Sequence, residues 1–332
     1  SGDTLTSSAW AFSTFCTITY SSHGVYPEGI GIDASDNVWI SNRDTNNVVE
    51  LSRTGKFIQS ITVGIDPHGL KIDRANSGNI WSQNQGGGGP GAPSTCPDGT
   101  TGTVTALAPT GTVVGSFCTQ GDLPQHAQFD ASDNIWVTNQ GSNTISELVA
   151  GNVGIGTFVA SFPTGVNPHA VARDQNGNFW IGNYGSADIT VLNSLGDLVS
   201  TIAGVGPQPT GNDIDPSANL WQSVAGLHVV KEFAAAPSFV QIGGDHPAGN
   251  TPRGVTIDNA GNVFVANQNS ENVFKFNSSG RFVREFKVGR GAENMAINSK
   301  GDVWVTNAYD NTVTVLEKVA VPTPNNDDDS NG

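Results

Sequence analysis

The chain repeats one pattern seven times, and this repetition restricts its fold more than any other feature. Each unit begins with a Pro-centred turn and a short alternating segment that ends near Asp, passes through a tight Asn/Gly turn, and continues as an apolar segment with one aromatic residue. That apolar segment reads NVWISN, NIWSQN, NIWVTN, NFWIGN, NLWQSV, NVFVAN and DVWVTN in the seven units. Units of this size cannot bury their apolar faces alone, so neighbouring units are expected to pack together.

Two further strand-like segments follow the aromatic segment in most units, as NVVELS and KFIQSITVG do in the first. Four short antiparallel strands in units of roughly 39 to 57 residues are typical of the blades of a β-propeller. The 41 glycines and the charged fraction of 14% also indicate short strands and many turns rather than helices. We therefore predict an all-β, seven-bladed β-propeller with four antiparallel strands in each blade.

The units begin near residues 26, 65, 122, 166, 207, 251 and 290. The last unit holds only three strand-like segments, whereas the N-terminal STFCTITYSS resembles a fourth strand without a unit of its own. We predict that residues 12–21 complete the seventh blade and close the ring, because closure removes exposed sheet edges. The propeller would then span residues 1–319, and the polar, acidic residues 320–332 are predicted to form a disordered tail.

The charge of the chain argues against two classes of partner. Thirty acidic residues against 15 Lys and Arg give a formal net charge of −15, so the surface field should repel nucleic acid and anionic membranes. No run of 18 apolar residues occurs, so we expect no membrane insertion.

The N-terminal SGDTLTSSAW lacks the regions of a signal peptide. We expect a mature chain whose export signal has been removed, and predict a secreted, extracellular or periplasmic protein.

The three cysteines show no metal-binding spacing, and their odd number allows at most one internal pair. Cys96 and Cys118 belong to the same unit, which favours a disulfide between them and leaves Cys16 alone. Three buried thiols are the alternative.

The second unit also carries a Gly-rich insertion, residues 85–102, between its second and third strands. A long irregular loop on this face is expected to act as a lid over His68.

One position of the repeat is polar in every unit. The residue after the repeated Pro begins the innermost strand of its blade, and it is therefore expected at the mouth of the central channel. To this position we assign Glu28, His68, His126, His169, Thr210, Arg253 and Glu293. Three of the six histidines of the chain thus fall into consecutive units, far more than a random distribution predicts.

Three converging imidazoles suggest a metal site. Neutral imidazoles are the commonest metal ligands in proteins, and three of them leave an open coordination position. We therefore predict that His68, His126 and His169 hold a divalent metal ion, namely zinc, copper or magnesium. A metal-free substrate site and a solvated channel without chemistry stay open as alternatives.

The opposite arc of this ring carries charged residues. Glu28 or Glu293 can move a proton, as can a histidine that is not bound to metal. Arg253 can hold a carboxylate or a phosphate of a substrate, or it can simply pair with Glu293. The predicted catalytic residues are accordingly His126, His169, Glu28 and Glu293.

The Pro-His strand starts, the aromatic segments and the seven-fold count resemble the streptogramin B lyase (virginiamycin B lyase) family and its relatives among the NHL-type propellers. The resemblance covers residues 25–319. Members of that family place two histidines of adjacent blades and a glutamate around a magnesium ion, and they open a lactone ester by proton abstraction and elimination. His126 and His169 match the histidine pair by their spacing, whereas Asn183 stands at the position of the glutamate.

The resemblance implies a metal-assisted lyase that acts on a small-molecule, peptide or sugar ligand. Because Asn183 supplies no charge to magnesium and His68 adds a third imidazole, the residues favour zinc or copper. Zinc-bearing propeller lyases that cleave hydroxyglycine peptides also use three histidines, although those propellers have six blades. Contacts to the substrate are assigned to Arg253, Asn183, Tyr184 and Thr210.

Two other functions stay open. A non-catalytic extracellular propeller would use the same face to bind a carbohydrate, a peptide or a protein partner. A calcium-dependent lactonase of the gluconolactonase type would need a ring of carboxylates and amides at the channel mouth. Three imidazoles argue against it, because calcium prefers oxygen ligands.

Overall fold

Each repeat unit folds into one four-stranded antiparallel sheet, and seven such sheets surround a central channel. The computed structural model describes residues 14–93 and 96–319. Within these residues the only helical element is a single 3-10 turn, Ala225–Leu227. The predicted all-β, seven-bladed propeller with four strands in each blade is therefore confirmed.

Strand β1 (Thr14–Ser21) comes first in the chain and belongs to blade seven. Blade one comprises β2 (Pro27–Ile32), β3 (Val38–Asn42), β4 (Asn47–Leu51) and β5 (Phe57–Thr62), and blade two comprises β6 (Ile65–Ile72), β7 (Ile80–Gly87), β8 (Thr103–Leu107) and β9 (Val113–Cys118). Blade three comprises β10 (Pro124–Phe129), β11 (Asn134–Asn139), β12 (Thr144–Val149) and β13 (Phe158–Pro163), and blade four comprises β14 (Pro168–Arg173), β15 (Phe179–Asn183), β16 (Asp188–Leu192) and β17 (Leu198–Ile202).

Blade five comprises β18 (Pro209–Ile214), β19 (Leu220–Val224), β20 (Val229–Phe233) and β21 (Gln241–Pro247). Blade six comprises β22 (Pro252–Ile257), β23 (Val263–Asn267), β24 (Asn272–Phe276) and β25 (Phe282–Lys287). Blade seven takes β26 (Ala292–Ile297), β27 (Val303–Asn307) and β28 (Thr312–Val319) from the end of the chain and β1 from its beginning.

The N-terminal strand closes the ring, as predicted. β1 pairs antiparallel with β28 along its whole length, from Thr14 opposite Val319 to Ser21 opposite Thr312. The edge of β28 is thereby covered, which removes a site for pairing with other chains. Residues 12 and 13 and the tail predicted for residues 320–332 lie outside the described residues.

The aromatic residue of each unit lies in the core between neighbouring blades. Trp304 of blade seven, for example, packs against Ile30 and Val49 of blade one. The indole of Trp180 also donates a hydrogen bond to Asp174 at 3.0 Å. Trp39, Trp136 and Trp221 make the corresponding bond to the Asp of their own turn. These residues therefore stabilise the ring and do not form a ligand site.

Every inner strand carries the same irregularity near its start. Pro27 lies opposite Asn42, whereas Ile30 lies opposite Ile40, so β2 has one residue more than β3 between these two pairs. The same shift occurs in the inner strand of all seven blades. Such a bulge bends a strand and redirects its side chains. Here it occurs at the residues that line the channel mouth.

A disulfide joins Cys96 to Cys118, with a Cα–Cα distance of 5.6 Å, as the sequence suggested. Cys16 on β1 is exposed and unpaired within the described residues. The part of the chain that the structure describes contains no helix long and apolar enough to cross a membrane.

Candidate functional site

A cavity of about 310 Å³ lies at the mouth of the channel, on the face where the inner strands begin. We call it the mouth cavity. Most of its wall comes from three positions of the repeat: the residue after the Pro of the inner strand, the next residue, and the residue after the Asn that ends the second strand. The first of these positions contributes Glu28, His68, Gln125, His169, Arg253 and Glu293.

The structure corrects the assignment made for blade three. Pro124 pairs with Asn139, which makes Gln125 the residue after the repeated Pro. His126 stands one position later, where the other blades have Gly, Ala or Asn. It therefore lies one residue further along the channel than the other two predicted histidines, and it still lines the mouth cavity.

Of the third position of the repeat, the sequence predicted only Tyr184 as a site residue. It contributes Arg43, Gln85, Gln140 and Tyr184 to the wall. The ring of Tyr184 stacks on that of His169, with 6.2 Å between the ring centroids. Gln140 accepts a hydrogen bond from Gln125 at 3.0 Å. An alignment of the seven units would have found this second ring, since its members follow the aromatic residue at nearly the same distance.

The three predicted histidines meet at this cavity. Their ring centroids lie 5.0, 5.4 and 5.8 Å apart. His68 Nε2 lies 3.3 Å from Glu28 Oε1, and His126 Nδ1 lies 3.2 Å from the backbone carbonyl oxygen of His169. Because a carbonyl oxygen only accepts hydrogen bonds, Nδ1 of His126 is the donor and its Nε2 keeps the lone pair.

These contacts do not form a metal site as they stand. A three-histidine zinc site needs one nitrogen of each ring to face a common point at about 2.0–2.1 Å, whereas the nitrogens of His68 and His126 described above face different partners. Within residues 14–93 and 96–319, no group of three or more His, Cys, Asp or Glu side chains is placed to hold a metal ion. The metal ion therefore stays a prediction, and no step proposed below uses it.

Two carboxyl groups are buried in the mouth cavity. The exposed fraction is 4% for Glu28 and 6% for Glu293. Burial raises the pKa of Glu293 to about 7, although the charge of Arg253 opposes the shift. Burial and the charge of Glu293 raise the pKa of Glu28 well above its usual range. Burial therefore favours the protonated form of both carboxyl groups, and Glu293 exchanges a proton with its surroundings near neutral pH.

The same burial keeps the imidazoles neutral. It lowers the pKa of His126 to about 4, although the hydrogen bond to the His169 carbonyl partly offsets this. Burial and the neighbouring imidazoles also hold the pKa of His68 and that of His169 well below the usual value. When Glu28 is protonated and His68 is neutral, one proton lies between Glu28 Oε1 and His68 Nε2. This contact can therefore hold or release a proton.

Two arginines supply positive charge. Arg43 pairs with Asp66 and lies 3.9 Å from Glu28. Arg253 Nε lies 3.7 Å from Glu293 Oε2. This Nε atom is buried and has no hydrogen-bond partner among the described residues. An unpartnered guanidinium N–H in a cavity wall is available to a ligand oxygen.

Two predicted substrate contacts do not reach the cavity. Asn183 Nδ2 donates to Asp188 Oδ1 at 2.7 Å and to Thr190 Oγ1 at 2.9 Å, both in its own blade. Thr210 is fully buried, and its hydroxyl donates to the carbonyl of Pro252 at 2.8 Å. Both side chains hold neighbouring strands together, so we remove them from the candidate substrate contacts.

The insertion of blade two does not cover His68 in the described residues. Of residues 85–102, only Gln85 lines the mouth cavity. The Cys96 disulfide ties the insertion to β9 of its own blade, and Thr101 donates to Asp122 at 2.9 Å. The expected lid therefore packs beside its own blade.

No family model matches the chain, and no curated protein matches it. Solved structures do match. A catalytically inactive histidine-to-alanine variant of virginiamycin B lyase from Staphylococcus aureus, solved with quinupristin, has a TM-score of 0.76 and 12% identity over 92% of this chain and 100% of that chain. A streptogramin B lyase structure has a TM-score of 0.74 and 14% identity over 92% and 98%. The fold is that of streptogramin B lyase.

Hydrazine synthase from Kuenenia stuttgartiensis matches nearly as well, with a TM-score of 0.73 and 13% identity over 91% of this chain and 98% of that chain. At identities this low the likeness shows the fold alone, because one fold can carry unrelated activities. The function therefore has to be argued from the mouth cavity.

Proposed function

We propose that the mouth cavity is the active site of a lyase that removes a proton beside a carbonyl group and expels an oxygen leaving group. The observation that carries this proposal is the pair of buried carboxyl groups, Glu28 and Glu293, in the mouth cavity. Burial raises the pKa of Glu293 to about 7 and that of Glu28 well above its usual range. Groups with a pKa near the operating pH are the most effective general bases. The shared fold suggests this reaction class, and the residues of the mouth cavity carry the argument for it.

Glu293 is the proposed base. Gln268 donates a hydrogen bond to Oε1 of Glu293, so the orientation of the carboxylate is fixed from one side. Its Oε2 lies nearest to Arg253. Because Arg253 Nε has no hydrogen-bond partner among the described residues, it can bind the carbonyl oxygen of a substrate. Negative charge that develops on that oxygen is then stabilised while Oε2 takes the neighbouring proton.

Glu28 and His68 are the proposed acid. They face each other at 3.3 Å, and the proton held between them can move to the leaving oxygen as its bond to carbon breaks. In sum, one C–H and one C–O bond break, and one C=C and one O–H bond form. No water is consumed, which distinguishes this reaction from hydrolysis of the same ester.

The test is incubation with quinupristin, the compound bound in the inactive virginiamycin B lyase, and with simpler lactone esters. Mass spectrometry separates the outcomes, since elimination opens a ring without a change of mass and hydrolysis adds one water. Glu293→Gln should lower the rate by about 100-fold or more. The exposed Glu271→Gln is the matched control and should keep the wild-type rate. Turnover that survives in Glu293→Gln would contradict the assignment of the base.

A non-catalytic binding propeller is the second candidate. It is favoured by the ion pairs at the mouth, since Arg43 pairs with Asp66 and the guanidinium of Arg253 lies 3.7 Å from the carboxylate of Glu293. Such pairs stabilise the ring whether or not chemistry follows. Saturable binding of a lactone, peptide or sugar without any turnover would support this alternative.

We also propose that the protein works in an oxidising compartment, secreted or periplasmic. The Cys96–Cys118 disulfide supports this, because such bonds persist mainly outside the reducing cytosol. The divalent metal ion predicted from the sequence is tested separately by elemental analysis. About one equivalent of metal, lost on His126→Ala and on His169→Ala, would support it, and metal-free protein with full activity would contradict it.

A further inference from the structure

A second cavity of about 780 Å³ lies along the channel below the mouth cavity and opens on the opposite face. The two cavities share His126, Gly211 and Asn294 in their walls, so they are two parts of one channel. A cavity of this volume is within the usual range of small-molecule sites. The mechanism proposed above makes no use of it.

One part of the wall of the second cavity is aliphatic, and the rest is polar. The inner strands contribute Ile30, Leu70, Ile72, Val171, Val255 and Met295. None of these six side chains offers a hydrogen bond, so this part of the wall favours contact with an apolar group. The site therefore favours a ligand with an aliphatic body.

One ammonium group stands in this aliphatic surrounding. Lys71 belongs to β6, lies opposite Trp81, and lines the second cavity. At the corresponding position the other blades have Gly, Ala, Thr, Gln or, in blade five, Asp213. Lys71 is absent from the ion pairs found among the described residues. Burial lowers its pKa, as expected for a cation that lacks a close partner.

The nearest acid does not neutralise this charge by direct contact. Asp213 accepts hydrogen bonds from the backbone N–H groups of Ile214 at 2.9 Å and Ile257 at 3.0 Å. Burial raises the pKa of Asp213 to about 6, so its carboxylate attracts Lys71 only across the channel. Elsewhere in the wall, charges of both signs occur: the cations are Arg74, Lys300 and Lys318, and the acids are Asp33, Asp36 and Asp258.

We propose that the second cavity binds a monocarboxylate with an aliphatic chain, with the carboxylate on the Lys71 ammonium and the chain against the aliphatic wall. Because the Lys71 ammonium has no ion pair among the described residues, it can pair with one carboxylate. A charge-assisted contact inside a channel is stronger than one at the open surface. This site is independent of the proton transfer proposed for the mouth cavity.

The test is isothermal titration calorimetry of the full chain with decanoate. Wild-type protein should show one saturable site, and Lys71→Met should weaken decanoate binding by about tenfold or more, because it removes the charge and keeps the apolar stem. Lys56→Met, on an exposed turn of blade one, is the matched control and should bind as the wild type does. Decanol, which has the same chain without the charge, should bind wild type and Lys71→Met equally.

Equal decanol binding by wild type and Lys71→Met guards against a loss that merely reflects misfolding, and a second variant tests whether the chain lies in the channel. Ala170→Leu narrows the channel without changing its charge, and it should weaken decanoate and decanol alike. Glu293→Gln should leave decanoate binding unchanged, which separates this site from the mouth cavity. The proposal is overturned if decanoate shows no saturable binding, or if Lys71→Met binds it as tightly as the wild type.

Discussion

The substitution Glu293→Gln isolates the electrostatics of the mouth cavity, because glutamine has almost the same shape as glutamate and cannot ionise. The ordinary pKa of the carboxyl group is 4.5, and burial raises it to about 7 in the folded chain. The folded state therefore holds the proton more tightly than the unfolded state. The resulting stabilisation is fully present below about pH 4.5 and is lost as the pH rises through about 7.

The magnitude follows from the separation of the two pKa values. It corresponds to about 3 kcal/mol over the complete titration, of which about 2 kcal/mol falls between about pH 5 and about pH 8.5. Over this interval, the free energy of unfolding of the wild type should thus fall by about 2 kcal/mol relative to that of Glu293→Gln. The charge of Glu293 contributes to the raised pKa of Glu28, so Glu293→Gln also changes the titration of Glu28, and the measured difference reports the coupled pair.

Urea unfolding at the two pH values, followed by tryptophan fluorescence and circular dichroism, measures this difference. Glu271→Gln, on an exposed turn, serves as the control and should follow the wild-type pH dependence. If the stability of Glu293→Gln changes with pH in parallel with the wild type, then Glu293 does not titrate near neutral pH, and its role as the base loses its support.

Three further predictions concern other parts of the molecule. Burial lowers the pKa of His126 to about 4 from 6.5, so the stability that its neutral form contributes should be lost as the pH falls from about 6.5 through about 4. In urea unfolding, the free energy of unfolding of His126→Gln should therefore fall less over this pH range than that of the wild type. The double substitution Cys96→Ser and Cys118→Ser opens a loop with a sequence separation of 22 residues and should cost about 3 kcal/mol, read from the denaturant midpoint. Trp180→Phe removes the hydrogen bond to Asp174, whereas Trp81 Nε1 has no partner among the described residues. Trp180→Phe should therefore lower the stability measured by thermal unfolding by about 1 kcal/mol more than Trp81→Phe does. Equal losses would show that the hydrogen bond to Asp174 does not stabilise the fold.

The fold was predictable because the information is repeated along the chain. Seven aromatic segments in register predicted seven blades, and the surplus strand near Cys16 predicted the closure by β1 that pairs Thr14 with Val319. Repetition averages out local ambiguity, since a strand that is unclear in one unit is clear in the next.

The site was predictable only in part. The position after the repeated Pro does form the mouth. In blade three, however, the prediction assigned His126 to this position. The spacing from Pro124 to Asp130 equals the corresponding spacing in blade one, and it assigns the position to Gln125. Asn183 was chosen from its family position, but its amide bonds strands of its own blade.

Other features depend on contacts between blades, which the pattern of one strand does not contain. The hydrogen bond from His126 Nδ1 to the carbonyl of the next blade fixes which nitrogen keeps its lone pair. The burial of Glu293 sets its pKa. The pattern of one strand also does not show that Lys71 lines a channel, because the channel forms only when seven inner strands surround the same axis.

The proposed lyase reaction requires that the mouth cavity bind the reacting group of a lactone between Glu293, Glu28 and Arg253. A crystal structure of Glu293→Gln soaked with quinupristin tests this requirement. We expect electron density for the compound in the mouth cavity, with a carbonyl oxygen at hydrogen-bond distance from Arg253 Nε. Density confined to the second cavity or to the outer surface of the blades, with the mouth cavity filled only by water, would contradict it.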